Sequence, residues 1–194
     1  PPIITPPEGD MPKKYYVSDV EVTVISERVQ YIGRDGKLIT ESLIDYTRKN
    51  ILSQYARLDD FLRRWTQAQR KQAIIDELKE EGVLLDAVRE ETGKIDIDDF
   101  DLICHLAYDK EPLTRNERAN NVRKRGYLYR YAELAQKVLG ALLDKYANEG
   151  IRDIEDTKVL QLKEFAEYGS PMKIAKAFGG KEGYQQAVLE LENE

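Results

Sequence analysis

Few side chains in this chain could do covalent or metal chemistry, and their spacing decides what they can do. There is one cysteine and one histidine, Cys104 and His105. A thiol and an imidazole can act as nucleophile and base, but neighbouring positions on a helix diverge by about 100° and cannot meet. Flanked by Leu102, Ile103 and Leu106, they read instead as a packed Cys and a His105 near Asp101, one turn back. They also fall short of the N/S ligand set of a structural zinc site. A metal-dependent nuclease gathers carboxylates beside a lysine. Glu77-Leu78-Lys79 has that composition, with Asp59-Asp60 upstream. On a strand, positions i and i+2 project together, whereas in the helical pattern around Leu78 they diverge. Glu155-Asp156 and Asp98-Asp99 suit helix caps and solvated faces. The phosphate cradle of a P-loop is missing, because Gly180-Lys181 is followed by Glu182 and Gly36-Lys37 by Leu38. The expectation is a stretch of chain without catalytic, cofactor-binding or metal-binding residues.

One segment departs from the rest in charge. From Arg115 to Tyr131 stand Arg115, Arg118, Arg123, Lys124, Arg125 and Arg130 against the single acid Glu117, with Tyr127, Tyr129 and Tyr131 interleaved. Three roles fit. Basic residues with aromatics contact phosphates and stack on bases. Arg and Tyr are also favoured in protein interfaces. Alternatively, Tyr127 and Tyr131 fill the core while the arginines pair with acidic neighbours. The candidate partner- or DNA-binding residues are therefore Arg115, Arg118, Arg123, Lys124, Arg125, Tyr127 and Arg130. A helix-turn-helix is weakly suggested by Ile174-Ala175-Lys176-Ala177-Phe178-Gly179. The helix that would follow carries Glu182, Glu190 and Glu192, which face phosphates badly.

The elements that must position these residues follow from periodicity. Val20-Glu21-Val22-Thr23-Val24 alternates as a half-buried strand does, and Val29 and Tyr31 repeat the pattern. Gly33-Arg34-Asp35-Gly36 then turns the chain into Lys37-Leu38-Ile39-Thr40. A small antiparallel hairpin or meander is expected at about 16–40. Beyond it the pattern is helical. Thr40 is the expected N-cap of a helix through Leu43, Thr47, Ile51 and Tyr55. Short helices follow around Phe61 and Trp65, Ile74 and Leu78, and Leu84 and Val88, the last two stopped by Gly82 and Gly93. Asp98 as N-cap, with a staple between Ile97 and Leu102, predicts a helix over 99–108. Thr114-Arg115-Asn116-Glu117 is a capping box. The longest helix is expected from Leu128 to Gly150, with near-heptad spacing. Ser170-Pro171 opens a short helix closed by Gly179-Gly180, and a last helix runs from about Lys181 to Leu191. The fold class is mainly α: a bundle of about seven to nine helices with a small β appendage.

Composition bounds the setting. The chain has 194 residues, with Lys plus Arg 30 against Asp plus Glu 36 and a formal charge of −6. A sequence pI near 5.1 argues against a general polyanion binder. A lone cysteine excludes an internal disulfide and suits a reducing, cytoplasmic setting. No apolar run approaches the roughly 20 residues of a membrane span. Five of the seven prolines fall in the first twelve residues, which marks residues 1–13 as a linker to something upstream. Residues 14–194 read as a single helical domain.

Five words of the sequence carry a resemblance. They are Glu41-Ser42-Leu43-Ile44-Asp45-Tyr46-Thr47-Arg48, Leu58-Asp59-Asp60-Phe61-Leu62 with Trp65, and Phe100-Asp101-Leu102-Ile103-Cys104-His105-Leu106-Ala107-Tyr108-Asp109. Pro112-Leu113-Thr114-Arg115-Asn116-Glu117-Arg118-Ala119 and Lys176-Ala177-Phe178-Gly179-Gly180-Lys181-Glu182-Gly183-Tyr184 complete the set. In this order they resemble the C-terminal region of the R subunit of type I restriction-modification enzymes of the EcoEI type, over roughly residues 15–192. The resemblance implies a large parent that translocates DNA with ATP and Mg and cleaves unmethylated foreign DNA. Its nuclease and motor domains would precede this chain. The helical region is implied to dock the R subunit onto the M and S methyltransferase core, meeting DNA through that complex and no membrane. The family transfers no catalytic residue to this region. An accessory DNA-binding domain, of the same translocase or of another helicase, is the alternative.

Overall fold

The computed structural model describes residues 11–194, so most of the proline-rich stretch lies outside the described residues. The chain divides into two compact units, where the sequence reads as one helical domain. The first comprises residues 11–62, Ile75–Ile95 and Asp99–Pro112; the second comprises Arg63–Ile74, Asp96–Asp98 and Leu113–Glu194. The chain is mainly helical with an N-terminal sheet, as its periodicities predict.

The first unit opens on a four-stranded antiparallel meander, β1 (Lys13–Val17), β2 (Val20–Ile25), β3 (Arg28–Ile32) and β4 (Leu38–Ser42), in that order across the sheet. Lys13 already pairs with Val24, so the sheet begins three residues before the expected hairpin. Ser18 and Asp19 (φ 48° and 65°) make the left-handed two-residue turn that matches strand twist. Val22, Val24 and Val29 bury one face, while Tyr16, Ile25, Ile32 and Leu38 are exposed.

Helix α1 (Leu43–Gln54) starts later than the sequence suggests. Its N-cap is Ser42, whose Oγ accepts from the Asp45 amide at 3.1 Å, and not Thr40. Thr40 and Glu41 are held in β4 by pairing with Gln30 and Val29, and that ladder outcompetes an earlier helix start. Then come α2 (Leu58–Gln67), α3 (Lys71–Glu80), α4 (Leu85–Thr92) and α5 (Asp99–Tyr108). Helix α5 spans the expected 99–108. Phe61 is fully buried in this unit, with the rings of Tyr55 and Phe100 at 5.6 and 5.7 Å. The Tyr108 hydroxyl donates to the Tyr55 carbonyl at 2.7 Å.

The second unit holds α6 (Arg115–Lys124), α7 (Glu133–Glu149), α8 (Arg152–Glu155), α9 (Pro171–Lys176) and α10 (Lys181–Asn193), with 3-10 turns at Tyr127–Arg130, Thr157–Gln161 and Lys163–Tyr168. Two of the expected caps form: Thr114 Oγ1 accepts from the Glu117 amide at 3.2 Å, and Ser170 Oγ from the Lys173 amide at 3.2 Å. The longest helix starts at Glu133 and not at Leu128. Gly126 (φ 75°) ends α6, and residues 127–130 form a separate turn pinned by the buried Tyr127. Leu139, Leu142, Phe165, Ile174 and Tyr184 are buried in this unit.

Candidate functional site

Helix α6 and the 3-10 turn after it carry the basic segment. The capping box sets the start of α6, and the left-handed Gly126 turns the chain so that successive tyrosines point opposite ways. Tyr127 is buried and its hydroxyl donates to the Ala187 carbonyl at 2.8 Å, with the Tyr131 hydroxyl 3.1 Å away. Burial, then the bond to Tyr131, raises the Tyr127 pKa well above the usual phenol range. Tyr131 packs edge-on against Tyr127, with ring centroids 5.7 Å apart. Tyr129, between them, is 80% exposed.

Most of the basic side chains are already engaged. Arg123 pairs with Asp144 at 2.5 Å and donates to the Gly140 carbonyl at 3.3 Å. Arg125 donates to the Glu194 carbonyl, and Arg130 lies 3.9 Å from the Glu194 carboxylate and 5.1 Å from the Tyr127 ring centroid. Arg115 donates through Nε to the Ala147 carbonyl at 3.4 Å and through its amide to the Asp96 carbonyl. Arg118 is half-buried and engaged within the fold. Lys124 is exposed. Of the seven candidates, Tyr127 belongs to the core, while Arg123, Arg125 and Arg130 neutralise acidic or carbonyl partners. What faces solvent is Lys124, Tyr129 and the outer edges of Arg125 and Arg130. The alternation of residues 127, 129 and 131 is the signal that singles out Tyr129.

Elsewhere, Cys104 is buried as expected. His105 lies one turn after Asp101 on α5. Its Nδ1 is 2.9 Å from the Lys110 carbonyl and its Nε2 3.1 Å from Lys94 Nζ. With Nδ1–H donating to the carbonyl, Nε2 is left to accept from the ammonium. Glu77 and Lys79 lie exposed on α3. Among the described residues no group of three or more His, Cys, Asp or Glu gathers as metal ligands, and no helix is long and apolar enough to cross a membrane. The helix-turn-helix pattern resolves into a six-residue α9 and an α10 that turns Tyr184, Ala187, Val188 and Leu191 inward.

A family model described as EcoEI R protein C-terminal matches residues 41–194. The chain belongs to this family. It is also 53% identical over 191 residues to the type I restriction enzyme EcoAI endonuclease subunit of Escherichia coli. That alignment covers 97% of this chain and 24% of the relative, so the chain spans about a quarter of that protein's length. No solved structure shows a significant match. The match to the EcoEI R protein family starts at Glu41 and takes in α1 to α10, while the alignment to the relative extends over nearly the whole chain.

Proposed function

We propose that this chain is the helical docking module of a type I restriction enzyme R subunit, seating the parent on its M and S methyltransferase core. The observation that carries the reading is membership of a family defined by the C-terminal part of an R protein, joined to a relative named as one subunit of a larger enzyme. In this reading the parent works in the cytoplasm, and its ATP, Mg and nuclease chemistry lie in other parts of the polypeptide. It translocates and cleaves unmethylated foreign DNA, while this module supplies assembly and no catalytic group.

The solvent face of the basic segment suits such a role. An exposed Tyr129 beside Lys124 and the arginine edges combines a rigid apolar ring with cationic groups, a pairing favoured at protein interfaces. Sedimentation of the chain with a purified cognate M and S core at moderate salt tests this. Co-sedimentation, lost on Tyr129→Ala with Lys124→Glu, is expected. A folded chain that sediments alone overturns the reading. The alternative, an accessory DNA-binding surface, separates by salt: phosphate-dominated binding weakens steeply as salt rises, whereas a docking face with an apolar core changes little.

A further inference from the structure

A second cluster of ionisable groups lies in the unit that contains α10, with no residue of the basic segment in its lining. It lines an open cavity of about 560 Å³. Glu155, the last residue of α8, turns its carboxylate onto the start of α3. It accepts from the Lys71 amide and, at 2.9 Å, from the Gln72 amide. Glu192, on the last turn of α10, lines the same cavity as Glu155. Two carboxylates facing one cavity repel each other, which favours a proton on the more buried of them. Burial, then the neighbouring Glu155, pushes the Glu192 carboxyl up to about 9, although Lys71 opposes the shift. The Lys71 ammonium is not free to replace that proton. Its side chain is fully buried and donates to the Trp65 and Ala68 carbonyls at 2.6 and 2.9 Å. Asp156 and Glu182 add further negative charge to the cavity, with Arg70 as the one basic residue among the described residues of its lining.

An unpartnered polar group lies in the same lining. Tyr184 also lines this cavity, is 2% exposed, and its hydroxyl is buried without a hydrogen-bond partner. Tyr184 and Glu192 both come from α10 and both line this cavity. A phenol oxygen can accept a hydrogen bond as well as donate one. Glu155, with its two amide donors, keeps lone pairs to spare, and Glu192 offers a carboxylate once it releases its proton.

We propose that this cavity binds a primary alkylammonium group, whose N–H donors meet Glu155, Glu192 and the Tyr184 hydroxyl. Three acceptor groups answer the three donors of an ammonium. The carboxyl excess disfavours an anion, and the described residues do not gather the ligands of a metal ion. No covalent bond forms or breaks with the ligand. The ammonium enters, and the proton held by the Glu192 carboxyl leaves for solvent. The inference goes beyond the docking reading and does not depend on it.

Calorimetric titration of the 194-residue chain at pH 7.5, in buffers of different ionisation enthalpy, tests the proposal. One arm uses spermidine and the other a blocked Gly-Lys-Gly peptide, which separates a free polyamine from a protein side chain as the source of the amine. Saturable binding of either probe with release of about one proton is expected, because the bound state holds Glu192 ionised. Glu192→Gln keeps the size of the side chain but cannot ionise. It should weaken binding at least tenfold and abolish proton release while its circular dichroism stays unchanged. Tyr184→Phe should weaken binding without altering proton release. Amide shifts should map to residues 155–157 and 182–192. No saturable binding by either probe, or undiminished binding with unchanged proton release in Glu192→Gln, overturns the proposal.

Discussion

The Tyr127 hydroxyl donates to the Ala187 carbonyl at 2.8 Å, across 60 residues of sequence, and so ties the turn after α6 to the middle of α10. This bond uses a candidate binding residue for internal cohesion. Tyr127→Phe keeps the ring and removes the donor. A buried bond of this kind contributes about 1 kcal/mol. The variant should unfold at lower urea with an unchanged slope, and Tyr127→Ala should cost about 3–5 kcal/mol through the cavity it opens.

The Glu192 carboxyl gives a pH dependence with a definite sign. Its folded pKa of about 9 stands above the ordinary value of 4.5, so between these limits the folded state holds a proton that the unfolded state releases. Stability from this group is complete below the lower limit and declines as pH rises toward the upper one. Glu192→Gln removes the decline. At pH 8 its melting temperature should exceed that of the parent by roughly 2–5 °C, and the two should converge near pH 5. Melting curves across that range check this. A variant that melts lower than its parent at pH 8 would contradict the burial of the pair.

Gly82 closes α3 with φ 91°, and a Cβ there would fall 2.4 Å from Asn50 Nδ2, which donates to the Gly82 carbonyl at 3.0 Å. Gly93 has φ 71° and open space around it. Left-handed backbone costs a non-glycine residue about 1–2 kcal/mol. Gly93→Ala should lose that much, and Gly82→Ala more, since the Asn50 bond is displaced as well. Denaturant midpoints of the two variants measured side by side isolate the Asn50 contribution.

Tyr129→Ala should leave stability within about 0.5 kcal/mol, because the ring is exposed. Its effect should appear in docking alone. Arg123→Glu, by contrast, breaks the pair with Asp144 and confounds stability with binding. Comparing melting temperature and co-sedimentation for both variants separates surface from scaffold.

Much of the fold is legible in the sequence where local chemistry decides the structure. The Thr114 and Ser170 caps, the limits of α5 and the inward valines of the sheet all follow from side-chain type and spacing. What escapes is decided by distant partners. The start of α1 depends on pairing with β3, and the break before α7 depends on Tyr127 reaching α10. The basic segment stands out as a charge excess, yet composition does not reveal that Asp144 and Glu194 already answer three of its arginines. The pair of Glu155 and Glu192 is hidden for the same reason. Two glutamates 37 residues apart in a chain rich in acids carry no mark of meeting.

Ser42 has two duties at once: it pairs with Arg28 as the last residue of β4 and caps α1 through its hydroxyl. No loop residue separates strand from helix. The joint therefore has no spare residue to absorb slack, and a twist of β4 about its own axis reorients the first turn of α1 with it.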